Sequence, residues 1–279
     1  MINIQCGYRI EIVCYQFTAG ITLLDPHPER QGDIAAGAIV NVTALSDGHS
    51  VPYADYVDTF GNTCRRLIIP PGGARFESRM TVADSGNVDL MDKHAAEWFP
   101  ADLPPDVLQF LLPSRYCEVD ELSATAWSLF GNYAPGWNRV QQICNYVNAQ
   151  IRFDYQFARN TRTAAQALNE GVGVCRDFTH LAVALTRCMN IPARYCNGFL
   201  GDIGVPPNPT PMDYNAWFEA FIGGRWYTFD ARHNVPRIGR ILVSRGRDAA
   251  DIPMIHTFGP HLLQKFEVIT EQVPGPTIG

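Results

Sequence analysis

The hydrophobic period of this 279-residue chain changes twice, and that change restricts its fold more than any single residue does. Up to about residue 83, apolar side chains recur at every second position. Tyr8, Ile10, Ile12 and Cys14 alternate with Arg9, Glu11 and Val13, and Phe76, Met80 and Val82 alternate with Arg75, Glu77, Arg79 and Thr81. A period of two with one wet face is the mark of half-buried antiparallel strands. Gly61-Asn62, between two strand-like runs, predicts a two-residue hairpin turn, and Pro70-Pro71-Gly72-Gly73 predicts another turn. From Pro104 to about residue 190 the spacing becomes three and four. Helices are expected around Val107 to Leu112, over 121–131 on Leu122, Ala126, Leu129 and Phe130, and after Gly136 on Trp137, Val140, Cys144, Val147 and Ile151. Thr163 and Gln166 have the spacing of a capping box for a short helix that ends at Gly171. After Pro192 the period of two returns, over Ala193 to Phe199 and Tyr214 to Ile222, with a Pro-rich loop from Gly201 to Pro211 between them that could wall a cleft. The expected fold class is α+β. A β-rich domain occupies residues 1–90, and a second domain occupies 91–279, with helices over about 104–190 and an antiparallel sheet over about 192–272.

Within the second domain, Gly171-Val172-Gly173-Val174 delivers Cys175 to the start of a helix whose apolar stripe is Phe178, Leu181, Ala182, Leu185 and Met189. A thiol there meets unpaired backbone N–H groups and the positive end of the helix dipole, both of which favour the thiolate. Cys175 is therefore the candidate nucleophile, against the competing reading of a buried structural cysteine. His180, more than one turn further on, is expected to be a packed or hydrogen-bonded histidine. Arg176 and Asp177 are expected to form ion pairs or hydrogen bonds near the loop.

The hairpin downstream supplies the second half of the site. A two-residue loop at Gly223-Gly224 pairs Ile222 with Arg225, Phe221 with Trp226, Glu219 with Thr228, Trp217 with Asp230 and Asn215 with Arg232. Asn215 and Asp230 then become diagonal neighbours on one face. A nucleophile that faces such a pair suits acyl transfer, because the thiol needs a base and the base an orienting partner. Asn215, however, cannot take up and return a proton near neutral pH.

Three motifs carry a resemblance. Gly-Val-Cys175-Arg-Asp-Phe, the run Met212-Asp213-Tyr214-Asn215-Ala216-Trp217-Phe218-Glu219, and Phe229-Asp230-Ala231-Arg232-His233-Asn234 resemble the bacterial transglutaminase-like cysteine protease family. Ser114-Arg115-Tyr116-Cys117 and the N-terminal β region are similar to that family as well. The resemblance implies a papain-like α+β core with a Cys-His-Asp triad, with Cys175 as nucleophile, Asp230 as orienting carboxylate and the base at position 215. Here that position is Asn215. Two readings follow: an inactivating His→Asn replacement in an otherwise intact enzyme, or a chain that binds a peptide-like ligand without turnover. His233 is the obvious substitute base, but strand alternation points it away from the Asp230 face. Trp217 and His233 are the candidate substrate-binding residues. The expected substrate is a peptide or amide, and no cofactor is implied. No acidic run has the spacing of a calcium loop, so hydrolysis is preferred over calcium-dependent cross-linking.

Composition excludes other partners. The formal net charge is −6 and no run of lysines or arginines stands out, so no nucleic-acid partner is expected. No apolar run approaches the length of a membrane span, and the first residues lack the pattern of a secretory signal, so no membrane association and a cytoplasmic location are expected. The eight cysteines fall in no tight framework and the seven histidines are scattered, so neither disulfides nor a metal site is expected.

Overall fold

The computed structural model describes residues 1–37, 40–207 and 212–274. Strands form where the N-terminal period of two runs: β1 (Ile2–Val13), β2 (Thr18–Thr22), β3 (Ile34–Gly37), β4 (Asn41–Ala44), β5 (Tyr53–Val57), β6 (Thr63–Ile69) and β7 (Ala74–Asp84). The helical region holds α1 (Val119–Phe130), α2 (Trp137–Gln150), α3 (Ala164–Glu170) and α4 (Cys175–Cys188), with the short strands β8 (Arg152–Phe153) and β9 (Val172–Gly173) among them. Next come β10 (Ala193–Phe199), β11 (Asn215–Ile222), β12 (Arg225–Phe229), β13 (Ile241–Gly246), β14 (Ile255–Thr257) and β15 (Leu262–Val273). The fold is α+β, as expected.

Local chemistry explains most of the boundaries. Thr163 Oγ1 accepts from the N–H of Gln166, Gln166 Oε1 accepts from the N–H of Thr163, and Gly171 at φ +65° ends α3. The segment Pro105–Leu111, hemmed by Pro104 and Pro113, winds as a 3₁₀-helix and not as an α-helix. The Gly61-Asn62 hairpin differs from expectation. Val57 pairs with Thr63, which leaves a five-residue loop, because Asp58 Oδ1 captures the N–H groups of Phe60 (2.8 Å) and Asn62 (2.9 Å).

The sheets assemble across the sequence. One runs β15-β1-β7-β3 with β4 also on β7, a second runs β14-β2-β6-β5, and a third runs β12-β11-β10-β13. β15, expected within the second domain, instead pairs with β1 from Asn3↔Val273 to Val13↔Leu262, and β14 pairs with β2. The expected 90/91 boundary therefore does not divide the sheets, and the strands of the expected sheet over 192–272 are shared among all three of them.

The helix α4 lies at the centre. All its residues but Arg176 are buried, so it exceeds the single apolar stripe seen in its sequence. Leu181, Leu185 and Phe178 pack in one core with α1, α2 and the Phe218, Ala220 and Ile222 face of β11. On its other side Arg187, 1% exposed, donates to the carbonyls of Leu112, Ala193 and Arg247, which fixes the helix to its surroundings. A second core fills the space between the β1 sheet and the β10–β13 sheet. Among the described residues, no helix is long and apolar enough to cross a membrane.

Candidate active site

The turn before α4 is built to hold one geometry. Asp177 Oδ2 accepts from the N–H of Val174 at 2.8 Å and from Arg162 Nη1 at 2.9 Å, so a buried ion pair clamps the first turn. A Cβ on Gly173 would lie 2.5 Å from that same oxygen, so only glycine fits there. Arg176 donates to the carbonyls of Arg159 and Asn160, and its guanidinium lies over the Tyr116 ring. His180 is fully buried, stacks on Tyr116, and accepts the N–H of Ala249 on Nε2. Cys175 is thereby placed at the first position of the helix, 9% exposed.

Its sulfur opens into a cavity of about 710 Å3 that Arg176, Tyr195, Asp213, Asn215 and Ala216 help to line. The size suits a small ligand or a few residues of peptide. The thiol donates to the carbonyl oxygen of Tyr214 at 3.9 Å. Against the expectation of a thiolate, its pKa is pushed up to about 11. Burial is the main cause and the Asp213 carboxylate adds to it, while Arg232 and the N–H groups of Ala216 and Arg176 pull the other way. The dipole of α4 is present, but desolvation outweighs it.

The hairpin has the expected register, Phe218↔Phe229 to Ile222↔Arg225. Asn215, 8% exposed, uses all of its amide. It donates to the carbonyls of Leu200 (3.3 Å) and Asp213 (3.2 Å) and accepts from Arg232 Nη1 at 2.9 Å. Asp230 receives the N–H groups of Arg232 and His233 on Oδ1, and Arg240 Nη2 at 2.9 Å on Oδ2. Burial alone would raise its pKa, yet Arg240 and His233 hold it well below the usual carboxylate range. Arg232 is thus the link between positions 215 and 230. Sequence reasoning gave it no role, although extending the hairpin register would have set it opposite Asn215; the ladder itself ends at Phe218↔Phe229.

Two expected binding residues lie elsewhere. The expected orientation of His233 fails because β12 ends at Phe229 and the chain turns, with Asn234 at φ +53° and its N–H on the carbonyl of Asp230. The turn swings His233 back, with Nδ1 2.8 Å from Asp230 Oδ2, and His233 does not line the cavity at Cys175. Trp217, 2% exposed, faces away from α4 beneath the guanidinium of Arg240 and lines a separate polar cavity. Asn215 reaches the cleft because it is the first residue of β11. Residues 208–211 of the loop expected as a cleft wall lie outside the described residues. Asp213, a lining residue whose pKa burial raises, was not singled out from the sequence and has no motif of its own. Among the described residues, no group of three or more His, Cys, Asp or Glu side chains is placed to hold a metal ion.

Residues 124–231, which carry the second half of α1, all of α2 to α4 and the hairpin, match the transglutaminase-like superfamily core. The core of this chain is transglutaminase-like. A candidate cysteine protease from Cytophaga hutchinsonii has the same fold, with a TM-score of 0.81 over 98% of this chain and 91% of that one at 24% identity. An uncharacterized protein of Mycobacterium leprae is 36% identical over 148 residues, which cover 52% of each chain. An uncharacterized protein of Mycobacterium tuberculosis is 29% identical over 126 residues, 40% of each chain. The matched stretch thus spans about half the length of the first of these relatives, and less of the second. The transglutaminase-like core therefore sits within a fold shared almost end to end with the Cytophaga protein.

Proposed function

We propose that this chain is a cysteine hydrolase scaffold for a peptide or amide substrate, in which the position of the base is filled by an amide. What supports the reading is one juxtaposition: Cys175 and Asn215 line the same cavity, with Asp230 tied to Asn215 through Arg232. An imidazole at position 215 would take the Cys175 proton as sulfur attacks the carbonyl carbon, and N–H groups at the start of α4 would hold the developing oxyanion. Collapse of that intermediate breaks the C–N bond, and the amine leaves with the proton returned by the imidazolium. Water then cleaves the thioester to a carboxylic acid and the free thiol, or an amine takes its place and gives a cross-link.

Asn215 offers no such acceptor, and its three hydrogen bonds knit it into the cleft wall. As the sequence stands, the cleft binds its ligand and leaves it intact. Asn215→His is expected to confer amide hydrolysis and to bring the pH midpoint of Cys175 alkylation down from about 11 toward neutrality. A folded Asn215→His protein with unchanged alkylation and no amide cleavage would overturn the proposal.

A further inference from the structure

The cavity at Cys175 has two ends of different chemistry. At the sulfur end, Val174, Arg176, Asp213 and Ala216 line it; at the far end, the wall is Ile10 and Ile12 of β1, Met254, Ile255, and Leu263 and Phe266 of β15, with the imidazoles of His256 and His261 among them. Ile252 packs in one cluster with Cys175, Tyr195 and Ala216, while Met254, Ile255 and Phe266 pack against the cluster that holds Ile10 and Ile12. Apart from the two histidines, the described residues that line the cavity and carry a formal charge are Arg176 and Asp213, both at the sulfur end. Leu263 is 60% exposed, an apolar side chain turned toward open space at the rim.

We infer that the β1 and β15 wall is a side-chain subsite, so that the substrate carries a bulky, uncharged, apolar group beside the reacting carbonyl. The inference rests on the reading of Cys175 as the residue that meets that carbonyl. A cationic group at the far end would give up its water and find no carboxylate, whereas an aliphatic or aromatic group would remove its own surface and that of Leu263 from water. The N-terminal β region then has a task in recognition: it supplies the part of the cleft that tells one substrate from another, while α4 and the hairpin supply the part that is common to all of them. Continuity of the cavity from Cys175 to β15 is what ties the two parts to a single ligand.

The test uses two fluorescein-labelled peptide amides identical but for one leucine replaced by lysine, titrated into the full chain and followed by polarisation. The leucine peptide is expected to bind at least about tenfold more tightly, given what a single methylene is worth in an apolar pocket. Leu263→Asp is expected to abolish that preference without a change in melting temperature, because the residue is exposed. The same pair offered to the Asn215→His variant gives a second readout, as a ratio of cleavage rates. Equal binding of the two peptides, or a preference that survives in Leu263→Asp, overturns the subsite while the proposed function stands. Peptides that are neither bound by the chain nor cleaved by Asn215→His overturn both.

Discussion

The sulfur of Cys175 lies between two opposed charges, and their balance can be read by substitution. Asp213 raises its pKa, so Asp213→Asn removes a like charge and should lower the midpoint of iodoacetamide alkylation from about 11. Arg232 lowers it, so Arg232→Met should move the midpoint further up. Rates measured over pH 7 to 11 check both signs, and shifts in the same direction for the two variants would refute this account of the site. The sequence alone placed Cys175 at a helix start, because the glycines and the apolar stripe are local signals. The expected pairing of Asn215 with Arg232 did not form, since the ladder stops at Phe218↔Phe229; the two meet through the Arg232 side chain instead. The protonation state was not legible. Whether a dipole or desolvation prevails depends on burial, and burial here comes from β10, β11 and the 249–252 segment, all distant in sequence. His233 was misjudged for a related reason: alternation holds only inside a strand, and β12 stops at Phe229.

Elements closed by the spacing of near neighbours were legible, and the loop that a competing side chain closed was not. The capping box of α3 and the β11–β12 register need only residues within a few positions of each other, and both formed as expected. The loop at 58–62 followed Asp58 in place of Gly61-Asn62, and the consequence reaches across the molecule. Asn62, fully buried, donates to the Arg245 carbonyl at 2.8 Å and accepts the Arg245 N–H at 2.9 Å, so a loop from the N-terminal region pairs with the backbone of β13 as a strand would. Asn62→Ala leaves both Arg245 backbone groups and an Asp58 oxygen without that partner. The expected loss of stability is about 3 kcal/mol, at roughly 1–3 kcal/mol for each buried group left unsatisfied. Urea denaturation of the variant against the parent measures it, and a loss no greater than that of an exposed substitution would show that Asn62 does not join the two parts.

At the scale of the whole chain, the strand that comes last is the neighbour of the strand that comes first. The apolar alternation of β1 and β15 shows that each is a strand, but period says nothing of partners, and pairing over some 250 residues leaves no local trace in either. Composition and turn signals suggested a break near residue 90, whereas hydrogen bonding makes a sheet that only residues from both sides of it can complete. Without β15, β1 would keep β7 on one side and present a twelve-residue unpaired edge on the other, and without Phe199, Ile241 and Val243 of the β10–β13 sheet the core that holds Ile4, Ile10 and Ile12 would lose part of its packing. A fragment of residues 1–90 is therefore expected not to fold by itself and to aggregate through that edge, and the full chain is expected to melt in one transition. Circular dichroism of the fragment and calorimetry of the full chain check this. A soluble fragment with its own cooperative melt would mean that the β region is an independent domain, and the cavity wall formed by β1 and β15 would then be a junction between two folding units and not part of one.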